Sequence, residues 1–254
     1  MSALIQKPAD SRFTKTLVFA PGGNGKTHFL GTAQEDERTY PMLLMDFEGG
    51  EETLVGLDID VAPIRSWDDY SEVYELLASG DHSYKSVGLD SASETHIWAL
   101  LQRITLDADR RRDPDLIEQG DYGAAMTQMR RLLREFRDLP LHVFYTAGSK
   151  DMDERGVGRV KVPSLAGQMA DEIVHLMSVV GYLAKTETEE GEPQRVLLLQ
   201  NYPGFRTKAR TPWGHEAPDE IVDPTVTKLL DGLGFPLESS STTKHNKPKT
   251  KKEH

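Results

Sequence analysis

The stretch Ala20-Pro21-Gly22-Gly23-Asn24-Gly25-Lys26-Thr27 decides the fold of this chain. It matches the phosphate-binding loop pattern G-x-x-x-x-G-K-[ST] at every fixed position except the first, where alanine replaces glycine. A short apolar run ends at Ala20 and a helix-like segment begins at Lys26, which is the context that such a loop requires. The alternative, an ordinary glycine-rich turn before a helix, is supported only by Ala20. The sequence therefore predicts a site for ATP and Mg²⁺.

The residue types of this loop assign a role to each part of it. Its glycines allow the backbone N–H groups of the loop to turn inward around phosphate at the positive end of a helix. Lys26 would reach the β- and γ-phosphates, and the Thr27 hydroxyl would bind Mg²⁺. A second metal ligand is expected at the end of a neighbouring strand, where Asp90 closes the apolar run Val87-Gly88-Leu89. The alternative role for Asp90 is to cap the next helix.

A catalytic base must come from elsewhere, because Ser91 and not a glutamate follows Asp90. Glu48 is the best candidate, since it follows the apolar run Pro41 to Phe47 and ligands in open α/β sheets bind at such strand ends. From there it could polarise the water that attacks the γ-phosphate. Asp46 is a weaker candidate. The plain alternative is that Glu48 belongs to a solvated acidic loop with Glu51 and Glu52.

The pattern of the remaining chain predicts an α/β fold with a mostly parallel central sheet flanked by helices. Apolar runs typical of buried strands are Thr16 to Ala20, Pro41 to Phe47, Ser86 to Asp90 and Leu141 to Thr146, with a further strand at Ile59 to Ile64. Helical spacing is found in Trp67 to Ala78, Glu94 to Leu106 and Gln119 to Arg137. The segments Ile173 to Ala184 and Arg195 to Gln200 predict a C-terminal antiparallel hairpin.

Composition excludes several classes of protein. The chain has no cysteine, which excludes disulfides, thiolate nucleophiles and cysteine-based zinc sites. It shows no apolar run long enough to cross a membrane and no signal-peptide pattern, so cytoplasm is the expected compartment. The net charge of −11 argues against general coating of duplex nucleic acid. We expect one domain over residues 1–237 and a disordered Lys/Ser/Thr-rich tail over residues 238–254.

The order of these motifs resembles the RecA-like ATPase core. The motifs are the phosphate loop, Asp46-Phe47-Glu48-Gly49-Gly50 after the second strand, Leu89-Asp90-Ser91 after the third and Tyr145-Thr146-Ala147 after the fourth. Over roughly residues 14–214 the chain is similar to phage-encoded RecA-like ATP-binding proteins of the AAA family and the single-strand-annealing recombinase type. The resemblance implies that Glu48 is the hydrolytic base and that Asp90 holds Mg²⁺. It also implies a homo-oligomeric ring or filament on single-stranded DNA, a single-strand-binding protein as a further partner, and the host cytoplasm if the chain is phage-encoded.

Two further segments gain a role through this resemblance. Lys208 and Arg210 are similar to the Lys-x-Arg segment that reaches the γ-phosphate of a neighbouring subunit in RecA-like filaments, although a basic surface turn is the plain alternative. The segment Gly148 to Gln168 lies where RecA-like proteins have a mobile loop that contacts single-stranded DNA. Its basic residues are the candidate DNA contacts: Lys150, Arg155, Arg159 and Lys161.

Two departures from the RecA-like pattern limit these expectations. Ala20 replaces the first loop glycine, and Ala147 and Gly148 stand where the family has a polar sensor residue, with Thr146 as a weak substitute. Trp213 is expected to be a packed aromatic at a turn. The phosphate loop predicts an Mg²⁺-dependent ATPase, and the resemblance implies that single-stranded DNA stimulates it and that it acts in phage-type DNA recombination or replication. The alternatives are a nucleotide-gated DNA-binding scaffold with negligible hydrolysis and a P-loop kinase of a small molecule.

Overall fold

A computed structural model describes residues 13–106 and 119–236 of the chain. The strands in this part are β1 Lys15–Phe19, β2 Met42–Asp46, β3 Asp60–Pro63, β4 Ser86–Asp90, β5 His142–Ala147, β6 Ser149–Glu154, β7 Gly158–Pro163, β8 Val179–Glu187, β9 Pro193–Leu198, β10 Lys208–Ala209 and β11 Glu220–Val222. The α-helices are α1 Lys26–Gly31, α2 Trp67–Ser79, α3 Ala92–Leu106, α4 Gln119–Asp138, α5 Met169–Leu176 and α6 Val226–Gly232. Short 3₁₀ helices cover Thr32–Glu35 and Glu51–Leu54.

Nine strands form one sheet, in the order β11-β9-β8-β1-β5-β4-β2-β3, with β10 pairing with β8. The strands from β3 through β8 in this order are parallel, whereas β9 runs antiparallel to β8. The predicted fold class, a mostly parallel α/β sheet with a C-terminal antiparallel hairpin, is therefore confirmed. The parallel strands end together at one side of the sheet, here called the carboxyl edge, where the phosphate loop follows β1.

The central strands are apolar because helices cover both faces of the sheet. Every residue of β1, β2, β4 and β5 is buried. On one face, α2, α4 and α5 pack through residues such as Tyr70, Phe136 and Ile173. On the other face, α1 and α6 pack through Phe29 and Leu229. Strands buried on both faces show continuous apolar runs rather than alternation, which explains why the sequence located these four correctly.

The C-terminal hairpin begins later than the sequence predicts. The predicted strand Ile173 to Ala184 is wrong in its first part, because residues 173–176 complete helix α5 and the strand begins at Val179. Met169, Ile173 and Met177 follow one another at intervals of four residues and all are buried, so this stretch has helical periodicity. The pairing of β8 with β9 across residues 188–192 is as expected.

The segment predicted as a loop after β5 is instead a β-hairpin. Strands β6 and β7 form a separate two-stranded antiparallel sheet that starts directly after β5, at the carboxyl edge. Val160 and Val162 alternate with Arg159 and Lys161 and are buried, which gives one apolar face to the hairpin. The high content of polar residues and glycine concealed this alternation in the sequence.

The predicted boundary at residue 237 and the tail after it lie outside the described residues. The part of the chain that the structure describes contains no helix that is both long and apolar enough to span a bilayer.

His142, the first residue of β5, is buried in its neutral form. Its Nδ1 accepts a hydrogen bond from the Thr14 backbone N–H at 3.2 Å, so the proton of the neutral ring is on Nε2. Burial, together with the nearby positive charges of Lys15 and Arg38, lowers the pKa of His142 from 6.5 to about 4. A proton on His142 Nδ1 would make that nitrogen a donor, so it could no longer accept the hydrogen bond from the Thr14 N–H.

This burial makes stability depend on pH. The unfolded chain binds a proton at His142 below a pKa of 6.5 and the folded chain does so only near 4, so stability is lost as the pH falls through this window. We expect the His142 contribution to the free energy of unfolding to be about 2 kcal/mol smaller at pH 5 than at pH 8. Urea unfolding of the native chain and of His142→Gln across this range measures it. The variant should lose less stability on acidification, and parallel curves would contradict the assignment.

Candidate active site at the phosphate loop

The phosphate loop joins β1 to α1 through two glycines in the left-handed region. Gly23 has φ 73° and Gly25 has φ 96°, and Gly25 is the N-cap of α1. Ala20 is fully buried, and its N–H donates to the Ala147 carbonyl at 3.1 Å, which extends the ladder between β1 and β5. Ala20 does not have a positive φ, since Asn201 and Asp223 are the only described residues other than glycine that do. Alanine at position 20 therefore imposes no backbone strain on the loop.

Lys26 extends back over this loop. Its Nζ donates to the carbonyl oxygens of Ala20 at 3.4 Å and Pro21 at 3.3 Å. The ammonium group thus lies against the first turn of the loop, and its positive charge offsets part of the rise in the pKa of Asp90. A lysine in this place supplies a positive charge to anionic oxygens bound by the loop.

Asp90 connects three elements of the carboxyl edge. Its Oδ2 accepts from the Thr27 hydroxyl at 2.5 Å, and its Oδ1 accepts from the Thr146 hydroxyl at the end of β5. Burial raises the pKa of Asp90, and the two hydroxyl donors partly offset that effect. The structure thus brings the predicted metal residues Thr27 and Asp90 into contact.

The donor set at this point fits Mg²⁺. A hydroxyl and a carboxylate are hard oxygen ligands, and Mg²⁺ in nucleotide sites typically takes one or two protein oxygens together with phosphate oxygens and water. The described residues contain no cluster of three or more histidine, aspartate or glutamate side chains that would form a complete protein site. Thr27 and Asp90 would hold the ion, and a nucleotide would complete its coordination.

Glu48 lies next to Asp90 across the neighbouring strand end. The Ser91 hydroxyl donates to Glu48 Oε1, and the negative charge of Glu48 also raises the pKa of Asp90. Asp46 and Asp90 are register partners in β2 and β4, so the two acidic strand ends are adjacent. The peptide bond between Asp90 and Ser91 is cis. Glu48 is exposed, which leaves its carboxylate accessible to water.

Asp46 has a different task from Glu48. It is only 1% exposed, and its Oδ1 accepts from the backbone N–H groups of Glu48, Gly49 and Gly50 at 3.0, 2.8 and 3.3 Å. Asp46 therefore fixes the loop that presents Glu48 at the carboxyl edge. This arrangement favours Glu48 over Asp46 as the residue that faces a bound water.

Comparison with known proteins places this site in a family. The family model AAA_24, described as an AAA domain, matches residues 12–211, which include the loop and both acidic strand ends. The chain belongs to this AAA domain family. No curated protein sequence matches the chain.

The fold has counterparts among solved structures. One is the RadB recombinase, with 14% identity, a TM-score of 0.47, and coverage of 83% of this AAA domain chain and 87% of that chain. A second is the flagellar accessory protein FlaH from Methanocaldococcus jannaschii, with 9% identity, a TM-score of 0.37 and coverage of 83% and 85%. A third is an ATPase from the type III secretion system of pathogenic bacteria, with 14% identity, a TM-score of 0.45 and coverage of 70% and 52%.

Arg195 of the AAA domain contacts the phosphate loop and was not found from the sequence. Its Nε donates to the Asn24 carbonyl at 3.0 Å, and the Asn24 side-chain amide donates to the Leu183 carbonyl at 2.9 Å. A Cβ atom added at Gly25 would lie 2.8 Å from Arg195 Nε, so the loop and this arginine are closely packed. Arg195 follows Asn24 by 171 residues, and no local pattern signals the contact.

Lys208 and Arg210 lie away from the phosphate loop of their own chain. Lys208 pairs with Val180, which is level with Leu17 and therefore about 10 Å along the strands from the loop. Its Nζ donates to the Val174 carbonyl at the end of α5, and burial lowers its pKa to about 8. Arg210 is exposed. Neither residue is positioned to act on a nucleotide in the same chain.

The four predicted DNA contacts all lie on the β6–β7 hairpin, but in two environments. Lys150 Nζ donates to the Leu165 carbonyl, and Lys161 forms an ion pair with Asp151 at 3.1 Å. Arg155 and Arg159 are exposed beside the turn. The hairpin therefore presents these two arginines to solvent at the carboxyl edge.

Trp213 is not packed, contrary to the expectation from its position at a turn. It has a relative exposure of 104%, the highest among the large apolar residues that the structure describes as exposed. A turn residue can be packed or exposed depending on distant parts of the chain, and the local sequence does not distinguish the two.

Thr146 tests the role of Asp90 in metal binding. We expect Thr146→Val to weaken nucleotide binding in the presence of Mg²⁺ about tenfold, because Asp90 loses one of its two hydroxyl donors and hydrogen bonds to charged groups contribute about 1.5–3 kcal/mol. Binding without Mg²⁺ should change little, and Thr146→Ser should behave like the native chain. Calorimetric titration with and without Mg²⁺ measures the difference. An equal loss under both conditions would contradict a role through the metal ligand.

Proposed function

We propose that this AAA domain is an Mg²⁺-dependent ATPase, stimulated by single-stranded DNA, that acts in phage-type DNA recombination or replication. The observation that carries the ATPase part is the contact of Thr27 with Asp90 beside the phosphate loop, with Glu48 at the next strand end. Membership of a P-loop ATPase family supports ATP binding and hydrolysis. The role in DNA metabolism rests on the order of motifs along the chain and on the exposed arginines of the hairpin.

The proposed reaction uses the residues of the carboxyl edge in distinct roles. The loop amides and Lys26 hold the phosphates, and Thr27 and Asp90 hold the metal. Mg²⁺, when bound, would neutralise charge on the β- and γ-phosphates. Glu48 orients a water for in-line attack on the γ-phosphorus and accepts its proton, while the bond from that phosphorus to the bridging oxygen breaks and ADP leaves. Ser91 holds Glu48 in position through its hydroxyl.

A neighbouring copy would supply the remaining positive charge. Lys208 and Arg210 are too far along the sheet to serve their own site, so their proposed role requires an adjacent subunit of a homo-oligomer. A cation brought from a neighbour would stabilise charge on the transferred phosphoryl group and make turnover depend on assembly. Exposed Arg210 fits this role better than Lys208, whose ammonium group is bonded to the end of α5.

The nucleotide site and the proposed DNA hairpin are connected by hydrogen bonds. Thr146, bonded to Asp90, is two residues from Gly148, where the hairpin begins. The Ser93 hydroxyl accepts from the Gly148 N–H at 3.0 Å and donates to the Ser164 carbonyl at 2.9 Å, which closes the base of the hairpin next to the first turn of α3. These contacts support a route by which bound nucleotide would affect the presentation of Arg155 and Arg159 to DNA.

A nucleotide-gated scaffold with negligible hydrolysis is the second candidate. The hydrogen bond from Ser91 occupies one oxygen of Glu48, and a carboxylate held in this way could act as a structural link rather than a base. DNA binding through the hairpin would then follow ATP binding alone.

Glu48→Gln distinguishes these two functions. In an ATPase we expect the variant to lose at least about a hundredfold in turnover with unchanged ATP affinity, because an amide cannot accept the proton of the attacking water. Glu52→Gln, an exposed carboxylate four residues away, is the matched control and should keep the native rate. Phosphate release and equilibrium ATP binding are measured in parallel, with single-stranded DNA present. Native turnover in Glu48→Gln would contradict the assignment of the base.

A further inference from the structure

Arg195 is held beside the phosphate loop by a contact that uses only part of its guanidinium group. Its Nε donates to the Asn24 carbonyl at 3.0 Å. The neighbouring Asp223 carboxylate accepts from the Arg195 backbone N–H at 3.3 Å and not from the guanidinium. Within residues 13–106 and 119–236, the two Nη atoms have no hydrogen-bond partner and Arg195 forms no ion pair. The guanidinium is therefore positioned by the loop and keeps both Nη groups for a ligand.

The β8–β9 hairpin extends past the carboxyl edge of the sheet and forms a wall beside the loop. Strand β1 ends level with Tyr182 of β8. Lys185, the register partner of Arg195, lies three residues further along β8, which is about 10 Å. The Asn24 side-chain amide donates to the Leu183 carbonyl at 2.9 Å, so the loop is attached to this wall by both its backbone and its side chain.

The side chains of Lys185 and Arg195 lie on the face of the sheet that carries α1. Leu183 and Leu197 are each two residues from one of these cations, and both pack in the cluster that contains Phe29 of α1. Side chains two residues apart in a strand lie on the same face of a sheet, so the two cations lie on this face as well. The hydrogen bond from Arg195 to the loop before α1 agrees with this placement.

Two positive charges therefore stand side by side next to the loop. Lys185 and Arg195 are directly opposite each other in the antiparallel pair, and both are exposed. Like charges in this arrangement destabilise a sheet. Glu187 follows Lys185 by two residues on the same face, but it forms no ion pair with either cation in the part of the chain that the structure describes. The wall therefore favours an anionic ligand.

This wall and the metal ligand lie on opposite sides of the phosphate loop. Strand β4, which ends in Asp90, and strand β9 are each two strands from β1, in opposite directions. Thr27, Asp90 and Glu48 define the γ-phosphate end of the proposed site. A nucleotide with its γ-phosphate at that end extends the other way along the loop. Its ribose and base therefore come toward the β8–β9 hairpin.

We propose that Arg195 binds the nucleoside end of a nucleotide held by its own chain, with the guanidinium plane stacked on the base. A guanidinium group is planar, always charged and stacks on aromatic faces. The hydrogen bond to the Asn24 carbonyl orients this plane before a ligand binds, which lowers the entropic cost of the contact. Lys185 adds positive charge to the wall but has no planar group to stack. This contact rests on the nucleotide site of the proposed function, but it acts in binding and not in hydrolysis.

The test compares a slowly hydrolysed ATP analogue with inorganic tripolyphosphate, which has the phosphates but no nucleoside. Dissociation constants for both ligands are measured by calorimetric titration with Mg²⁺, for the native full chain and three variants: Arg195→Ala, Arg195→Lys and Lys185→Ala. The ratio of the two affinities isolates the nucleoside, because a change in the loop or in the net charge acts on both ligands. Lys185→Ala is the matched control, since it removes a positive charge from the same wall.

Arg195→Ala should lower the affinity for the ATP analogue about tenfold more than the affinity for tripolyphosphate, which is the effect expected for loss of a guanidinium stacked on a base. Arg195→Lys should lose the same selectivity, because lysine keeps the charge without the plane. Lys185→Ala should weaken both ligands by the same factor and keep the native ratio. Circular dichroism and thermal unfolding check that each variant is folded.

Photochemical labelling tests the contact without a variant. Irradiation of the native chain with 2-azido-ATP should label the peptide that carries the β8–β9 hairpin. This measurement decides the question where tripolyphosphate binds too weakly for a ratio.

Three outcomes would overturn the proposal: a native ratio in Arg195→Ala, a native ratio in Arg195→Lys, or labelling by 2-azido-ATP away from the hairpin. An equal loss of both ligands in Arg195→Ala belongs to the first of these and would limit the arginine to supporting the loop. ATP turnover of the native chain is recorded separately. A selective loss in a chain without turnover contradicts the proposed ATPase and leaves the contact intact, whereas turnover with an unchanged ratio contradicts the contact alone.

Discussion

The contact of Thr27 with Asp90 is the interaction on which the candidate site depends. It joins the phosphate loop after β1 to the end of β4, and the Thr146 hydroxyl joins β5 to the same carboxylate. Burial disfavours the charged form of Asp90, and the two hydroxyl donors compensate for part of that cost. In the proposed function, this carboxylate would exchange a hydroxyl partner for the metal ion.

The same edge of the sheet connects to the surfaces proposed for DNA and for a second copy. The β6–β7 hairpin begins directly after β5, and Arg206 forms ion pairs with Glu154 of that hairpin and with Asp171 of α5. Arg206 lies two residues before β10, which leads to Arg210 and the Trp213 turn. A shift of the hairpin would therefore displace the segment that we propose to contact the neighbouring subunit.

The sequence predicted those features that depend on local composition. The four central strands are mostly apolar because they are buried on both faces, and the phosphate loop is a local pattern of glycines followed by Lys26 and Thr27. The hairpin after β5 was missed because few residues, chiefly Met152, Val160 and Val162, supply its apolar face. The contact of Arg195 with Asn24 and the full exposure of Trp213 depend on residues far apart in the chain, so no local pattern could indicate them.

The most direct test is the rate of ATP hydrolysis with and without single-stranded DNA, at low salt and across protein concentration, for the native chain and for Lys26→Ala. The account predicts a rate per chain that rises with protein concentration and with DNA, and that Lys26→Ala abolishes, because a neighbouring copy completes the site. A rate that is removed by Lys26→Ala but is indifferent to DNA and to protein concentration would contradict the account. It would retain the nucleotide site and exclude both the trans cation and the role on DNA.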